Sequence, residues 1–298
     1  MTLTPGAGHG VDTMTGPLRC VAMRAPGAIL AADHERWHYA KPLDPDALGH
    51  QYRTFAELVA ASGAEIVWLP DGDDDLADSI FTYDPSIMTP AGAIVLRPGK
   101  PLRSGEAELH RSFYRAHDIP IIGTITAPGT VEGGDCLWLD PATLAVGRGF
   151  RTNQAGIDQL VAIVESIHIE VTPYDLPYFR GPDACLHLMS VVNPLDTDLA
   201  LVHAELMPIA LHQVMVDMGY DLLHAPTDEL EASAGLSVNV LATGPRRGIA
   251  VDGFPRTVDL MRSAGCDVTV FRADELCIPC EGGPTCLTRP LLRDPGRR

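Results

Sequence analysis

A cysteine, a histidine and a carboxylate spread along this chain are the parts of a thiol nucleophile system. Cys286 follows Glu281-Gly282-Gly283-Pro284-Thr285, downstream of a strand-like run over 268–271. Glu132 opens a second glycine pair flanked by acids, Glu132-Gly133-Gly134-Asp135. His187 stands between the two in Cys185-Leu186-His187-Leu188-Met189-Ser190. Glycine at a turn accepts positive φ and lets the backbone approach a ligand, so a cysteine just after such a turn is open to a small substrate. In such a set the thiolate attacks, the imidazole moves protons and the carboxylate orients the imidazole. Because a free thiol, with a pKa of about 8.5, is mostly protonated at neutral pH, the nucleophile needs help to ionise.

Blander readings compete with each of these residues. Taken alone, His187 in an apolar run is more readily a satisfied core histidine, and Cys286 has the alternative of a buried structural thiol. Glu132 and Asp135 have the alternative of flanking a tight turn, with Asp135 the more structural of the two. Cys277 and Cys280 form a Cys-x-x-Cys that, with Cys286, offers three zinc ligands. A structural zinc site takes four, usually as two such pairs, and no second pair exists; no metal is expected. The acids over 71–75 look like a calcium-loop fragment but lack the spacing and terminal glutamate of an EF-hand, and read as a solvated loop. Neither a Gly-x-Gly-x-x-Gly fingerprint nor a phosphate loop is present, and no cofactor is expected.

The elements that must position these residues alternate. Strands are expected at 20–23, 65–69, 93–96, two within 137–146, 167–171, 187–192, 199–203, 238–242, 248–251 and 267–271. Helices are expected at 46–62, 104–117, 153–166, 208–218 and 255–263, with Pro208 at a first turn, where its missing N–H costs nothing. Alternation of this kind argues for α/β, and the pattern alone suggests one layered sheet. Trp37, Trp68 and Trp138 read as packing residues.

The 298 residues are 46% hydrophobic and 20% charged, enough for a large core. A net charge of −17 argues against a nucleic-acid partner and disfavours an anionic membrane surface. No apolar run is long enough to span a bilayer. Residues 1–17 are rich in Gly, Thr and Pro and read as a flexible tail ahead of a single domain over 18–298. Seven cysteines, an odd number, without a signal-like segment point to free thiols and a cytoplasmic location. Self-association is left open.

Further segments carry a resemblance. Phe81-Thr82-Tyr83-Asp84, Arg97-Pro98-Gly99-Lys100-Pro101-Leu102-Arg103 and Arg151-Thr152-Asn153-Gln154, in order with the Glu132, His187 and Cys286 segments, resemble the guanidino-group-modifying superfamily. That superfamily contains arginine deiminases, dimethylargininases and amidinotransferases, and the chain is most similar to dimethylargininase over about 20–292. The resemblance implies a five-bladed α/β propeller with pseudo-fivefold ββαβ modules. It implies Cys286 as nucleophile, His187 as acid and base and Glu132 as its orienting partner. Asp84 would grip the substrate guanidinium, Asp78 the α-amino group, Arg151 the α-carboxylate, and Arg103 would be a further substrate contact. The implied reaction is hydrolysis of N-methylated arginine to citrulline plus methylamine or dimethylamine through a thiouronium-type intermediate. Deimination or amidino transfer on another guanidino substrate, or non-catalytic binding of one, are the alternatives. Two departures stand out: Met189 occupies the position where arginine deiminases carry an aspartate, and Tyr83 one where dimethylargininases carry a glutamate.

Overall fold

The computed structural model describes residues 8–71, 75–182 and 184–296. Its strands form five separate three-stranded sheets. In chain order the elements are β1 (Leu18–Met23), α1 (His34–Trp37), α2 (Pro45–Ala61), β2 (Glu65–Trp68), β3 (Ser86–Thr89), β4 (Gly92–Val95), α3 (Glu106–Ala116), β5 (Ile121–Thr124), β6 (Cys136–Asp140), β7 (Thr143–Arg148), α4 (Gln154–Val164) and β8 (Glu170–Asp175). There follow β9 (Val192–Pro194), β10 (Leu199–Val202), α5 (Ile209–Asp217), β11 (Asp221–His224), α6 (Thr227–Ala232), β12 (Val240–Gly244), β13 (Arg247–Val251), α7 (Pro255–Ser263), β14 (Asp267–Phe271) and β15 (Arg289–Arg293).

One rule builds every sheet. Two strands pair antiparallel, a helix crosses over, and a third strand returns parallel to the second: β3-β4-β5, β6-β7-β8, β9-β10-β11 and β12-β13-β14. The fifth sheet, β15-β1-β2, takes its antiparallel strand from the far end of the chain. The ββαβ module is thus repeated five times, and the last repeat closes the ring by joining the two ends of the chain.

Burial separates inside from outside. Every residue of β3 and β12 is buried, whereas β2, β5, β8 and β11 are mostly half-buried or exposed. The first strands β3, β6, β9, β12 and β15 all contribute to one small internal cavity through Ile87, Cys136, Asn193, Leu241 and Arg289, so they surround a common axis. Side chains fill that channel. Arg289 stacks on the Tyr83 ring at 3.8 Å and donates to the Tyr83 carbonyl, and Arg293 donates to the carbonyls of Gly16 and Ala242. The helices pack outside through one apolar stripe; in α2 this is Leu48, Tyr52, Phe55 and Val59, at helical spacing. Asp44 caps α2 ahead of Pro45, and Asn153 caps α4.

Several expectations change. The pattern-only guess of one layered sheet gives way to five small ones. Residues 187–192 are not a continuous strand: a 3₁₀ turn at Leu188–Ser190 precedes β9. The strands β3, β5, β11 and β15 are additional to those read from the sequence. Residues 10–17, read as part of a flexible tail, are held in place: Gly10 exchanges backbone bonds with Leu291 and Arg293, and Val11, Thr13 and Thr15 are buried. The acidic loop falls mainly on residues 72–74, outside the described residues. Trp37 and Trp138 are core residues, but Trp68 is 43% exposed and lies beside Tyr52. Among the described residues no helix is long and apolar enough to cross a membrane.

Candidate active site

Each of the five modules supplies one polar residue just upstream of its innermost strand. Asp84 precedes β3, Glu132 precedes β6, His187 precedes β9, Asn239 precedes β12 and Cys286 precedes β15. Asp84, His187, Asn239 and Cys286 line a cavity of about 470 Å³, and Glu132 lies directly behind His187. That volume suits a small organic ligand, for which roughly 300–1,000 Å³ is usual.

Glu132 is fully buried and fully engaged. Its Oε2 lies 2.6 Å from His187 Nε2, Arg151 Nη1 donates to both of its oxygens at 2.9 and 3.0 Å, and the backbone N–H groups of Gly99 and Lys100 donate to Oε1. Burial alone would push this carboxyl up, but Arg151 and the bonded imidazole outweigh it and hold Glu132 well below the ordinary carboxylate range. With Nε2 committed to Glu132, His187 turns Nδ1 toward the pocket, 4.0 Å from Asp84 Oδ1 and 3.7 Å from Cys185 Sγ. Burial opposes the imidazolium, yet Cys185, Asp84 and Glu132 together raise the His187 pKa well above its usual value. Asp84, Glu132 and His187 place ligand atoms within 4.8 Å of one another, and both carboxylates already face guanidinium groups. An imidazole held between two carboxylates in this way is able to take up and release a proton.

The glycine pairs owe their identity to space. None of Gly133, Gly134, Gly282 and Gly283 takes positive φ; in that region of the chain it is Glu281, at φ 55°, that does. A Cβ on Gly134 would lie 2.3 Å from His187 Nδ1, and one on Gly283 would lie 2.4 Å from the Asn239 amide carbon. The expectation of left-handed backbone at both pairs is corrected accordingly: these glycines let side chains pass close to the backbone.

Cys286 is half-buried, and its sulfur accepts a hydrogen bond from Asn239 Nδ2 at 3.3 Å. Asn239 Oδ1 in turn accepts the Thr285 N–H, so one amide fixes both the turn and the thiol. Burial and the Asp84 charge push the thiol up to about 11, with His187 pulling the other way. Burial and the Asp84 charge both favour the neutral thiol, and a cation arriving beside Asp84 and Cys286 would favour its ionisation. A test follows. Alkylation of Cys286 by neutral iodoacetamide should speed up about tenfold per pH unit between pH 7 and 10, tracking the thiolate. A cationic haloamidine should show a much flatter profile and label Cys286 first. A plateau for iodoacetamide near pH 7 would show that the thiol is ionised before any ligand arrives.

The remaining expected residues fall differently. Arg151 lines the cavity, but its guanidinium also holds Glu132. Arg103, expected as a substrate contact, is buried and taken up by protein groups: Nε and Nη2 donate to Glu106, Nη1 donates to Asp84 at 2.6 Å, and Nη2 donates to the Phe81 carbonyl. It also lines the cavity. Asp78 is paired with Lys100 at 2.7 Å and accepts the Tyr39 hydroxyl at 2.7 Å. Asp135 accepts the Leu188 N–H, which anchors the turn after His187. Met189 is buried and borders the small internal cavity among the first strands. Sequence reasoning passed over Asn239, Lys100, Cys185 and Trp37, which line the cavity, and Glu106 behind it. For Asn239 a signal existed: it precedes β12 as the other four site residues precede their strands.

Comparison with known proteins places this geometry. The arginine deiminase family model matches residues 73–223, half of the chain. The chain belongs to the arginine deiminase family. Within it, the N(G),N(G)-dimethylarginine dimethylaminohydrolase of Pseudomonas aeruginosa is 26% identical over 268 residues, 90% of this chain and 97% of that protein. An arginine deiminase of Mycobacterium avium is 29% identical over 336 residues, 98% of this chain and 82% of that protein. The fold is that of the Pseudomonas dimethylarginine dimethylaminohydrolase solved with citrulline, at a TM-score of 0.75 and 24% identity over 92% of this chain and 99% of that one. It is also that of an amidinotransferase of Microseira wollei from saxitoxin biosynthesis, at a TM-score of 0.77 and 15% identity over 97% and 98% of the two chains. The chain therefore falls among enzymes that act on guanidino groups, and its five sheets have the propeller-like arrangement of those folds.

Proposed function

We propose that this protein is a cysteine-dependent hydrolase that cleaves a C–N bond of a substituted guanidino compound. The observation that carries the reading is the convergence of Cys286, His187 and Asp84 on one cavity, with His187 Nε2 locked on Glu132 and Nδ1 facing Asp84. A guanidinium is a planar cation that stays charged near neutral pH. Asp84 orients it through charge-assisted hydrogen bonds, and its charge promotes the Cys286 thiolate. The sulfur attacks the central carbon and forms an S–C bond. His187 Nδ1 delivers a proton to the departing nitrogen, the C–N bond breaks, and an amine leaves. His187 Nδ1, now unprotonated, takes a proton from water, which attacks the thiouronium carbon; the S–C bond then breaks, releasing a ureido product, and the sulfur regains the proton it gave up to solvent on ionising. Glu132 stabilises the His187 imidazolium that supplies the departing nitrogen's proton, and Arg151 keeps Glu132 ionised.

Within this class the lead reaction is N-methylated arginine to citrulline plus methylamine or dimethylamine, the chemistry named for the dimethylargininase relatives. Incubation with a panel of N-methylated and unsubstituted guanidino compounds, with and without amine acceptors, tests it. Ureido product and free amine are expected, with a lower kcat/KM for free arginine than for N-methylated compounds, since Met189 supplies no further carboxylate. New guanidino products that appear only with an added amine would instead mark an amidinotransferase. Absence of both products would sink the enzyme reading.

A further inference from the structure

Two sets of charges border the cavity. In the first the carboxylates of Asp84, Glu106 and Glu132 are met by the guanidinium groups of Arg103 and Arg151 and by the His187 imidazole. In the second Asp78 faces Lys100 one to one. Lys100 Nζ lies 2.7 Å from Asp78 Oδ2, donates to the Trp37 carbonyl at 2.8 Å, and sits over the Trp37 and Tyr39 rings at 5.1 and 5.8 Å. Its side chain is only 16% exposed. A carboxylate, a carbonyl and two ring faces thus fix this ammonium at the cavity wall. Asp78 Oδ1 is taken by the Tyr39 hydroxyl. A substrate α-ammonium brought to Asp78 would meet the Lys100 ammonium, and juxtaposed like charges act against binding. A carboxylate arriving there meets Lys100; Arg151 lines the same cavity, and its Nε and Nη2 make no hydrogen bond among the described residues.

We infer that the pocket selects ω-guanidino carboxylates that lack an α-ammonium group, and that Lys100 sets this preference. The inference rests on the reading above for which end holds the guanidinium, and ranks such compounds ahead of the N-methylated arginines of equal length. Among the described residues, Glu281 is the one other acid lining the cavity outside these ion pairs. Its Oε2 accepts the Cys185 N–H at 3.1 Å.

Cys286→Ser protein binds compounds without turning them over, so calorimetry on it isolates recognition. The probes are N-methylarginine, its analogue with hydrogen in place of the α-amino group, and its decarboxylated analogue. The deaminated compound should bind at least tenfold more tightly than N-methylarginine. Adding Lys100→Met should reduce that difference to less than threefold, by weakening the deaminated compound and relieving the α-amino acid. Equal or tighter binding of N-methylarginine with Lys100 in place would overturn the inference, and its selective loss in Glu281→Gln would put the ammonium on Glu281. Failure of all three compounds to bind would also overturn it. A turnover assay on the Cys286 protein keeps the two readings apart: a retained binding preference without ureido product refutes the hydrolase and leaves the selectivity standing.

Discussion

Cys286→Ser is expected to lower kcat by on the order of 10⁴-fold or more while leaving the fold and ligand affinity nearly unchanged. Removing the nucleophile of a cooperating set costs about as much as removing the whole set. The structural cost is small because the sulfur's side-chain hydrogen bond comes from Asn239, and a hydroxyl also accepts it. A melting temperature within a few degrees of the parent and an unchanged Kd for an intact guanidino ligand are the controls. Retention of more than a few per cent of kcat would rule out the covalent route, whatever the stability result. Replacement of Cys185 or Cys280, which line the same cavity, gives the comparison for a thiol that is near the site without being its nucleophile.

Glu132→Gln should have the second-largest effect, and it should register in both activity and stability. Replacing the orienting carboxylate of a catalytic triad with its amide costs about 10⁴ in kcat, because the imidazole loses both its required tautomer and its charge partner. Here the carboxylate also neutralises Arg151 and accepts two backbone N–H groups, all without solvent. Removing one member of a buried ion pair costs about 3–5 kcal/mol; an amide that keeps some of the hydrogen bonds should fall toward the lower figure. The Glu132 carboxyl is held below its ordinary range, so its contribution is present above the unfolded carboxylate pKa and is lost as pH falls through the lower folded one. The parent should therefore lose stability on acidification more steeply than Glu132→Gln. Melting temperatures of the two proteins from pH 7 down to pH 3 check this. Parallel curves would mean that the Glu132 charge does not stabilise the fold, and a kcat loss under tenfold would remove Glu132 from the proton relay.

Much of the architecture could be read before any coordinates, and the reasons are local. The helices expected at 46–62, 153–166 and 255–263 fold as α2, α4 and α7 with shifts of a residue or two. Fully apolar runs such as those of β4, β7 and β13 were equally plain. The strands passed over are short, exposed or interrupted: β5 is half-buried throughout, and β11 begins with Asp221 and ends with His224. Their strand character comes from a neighbour with open hydrogen-bonding groups, and single-residue preference carries little of that. The segment at 187–192 misled because apolar residues in a 3₁₀ turn beside a core look like a strand, and only the capping bonds around His187 reveal the turn.

The same division runs through the site. Residue chemistry in order along the chain, a glycine-flanked cysteine, an apolar-run histidine and a glycine-flanked glutamate, was enough to single out residues that meet around one cavity and, by resemblance, to name the superfamily. The partners of each charge were not legible. Arg103, expected as a substrate contact, also joins Asp84 to Glu106; Arg151, expected as a carboxylate clamp, also braces Glu132; Asp78, expected to take an α-amino group, is met by Lys100. Burial sets the reason. In a low-dielectric interior a charge is stable only beside its complement, and that complement is found across the channel, on another module. Composition and local pattern act along the chain, while the pairing of buried charges depends on distances between modules that only the closed ring of five sheets brings into existence.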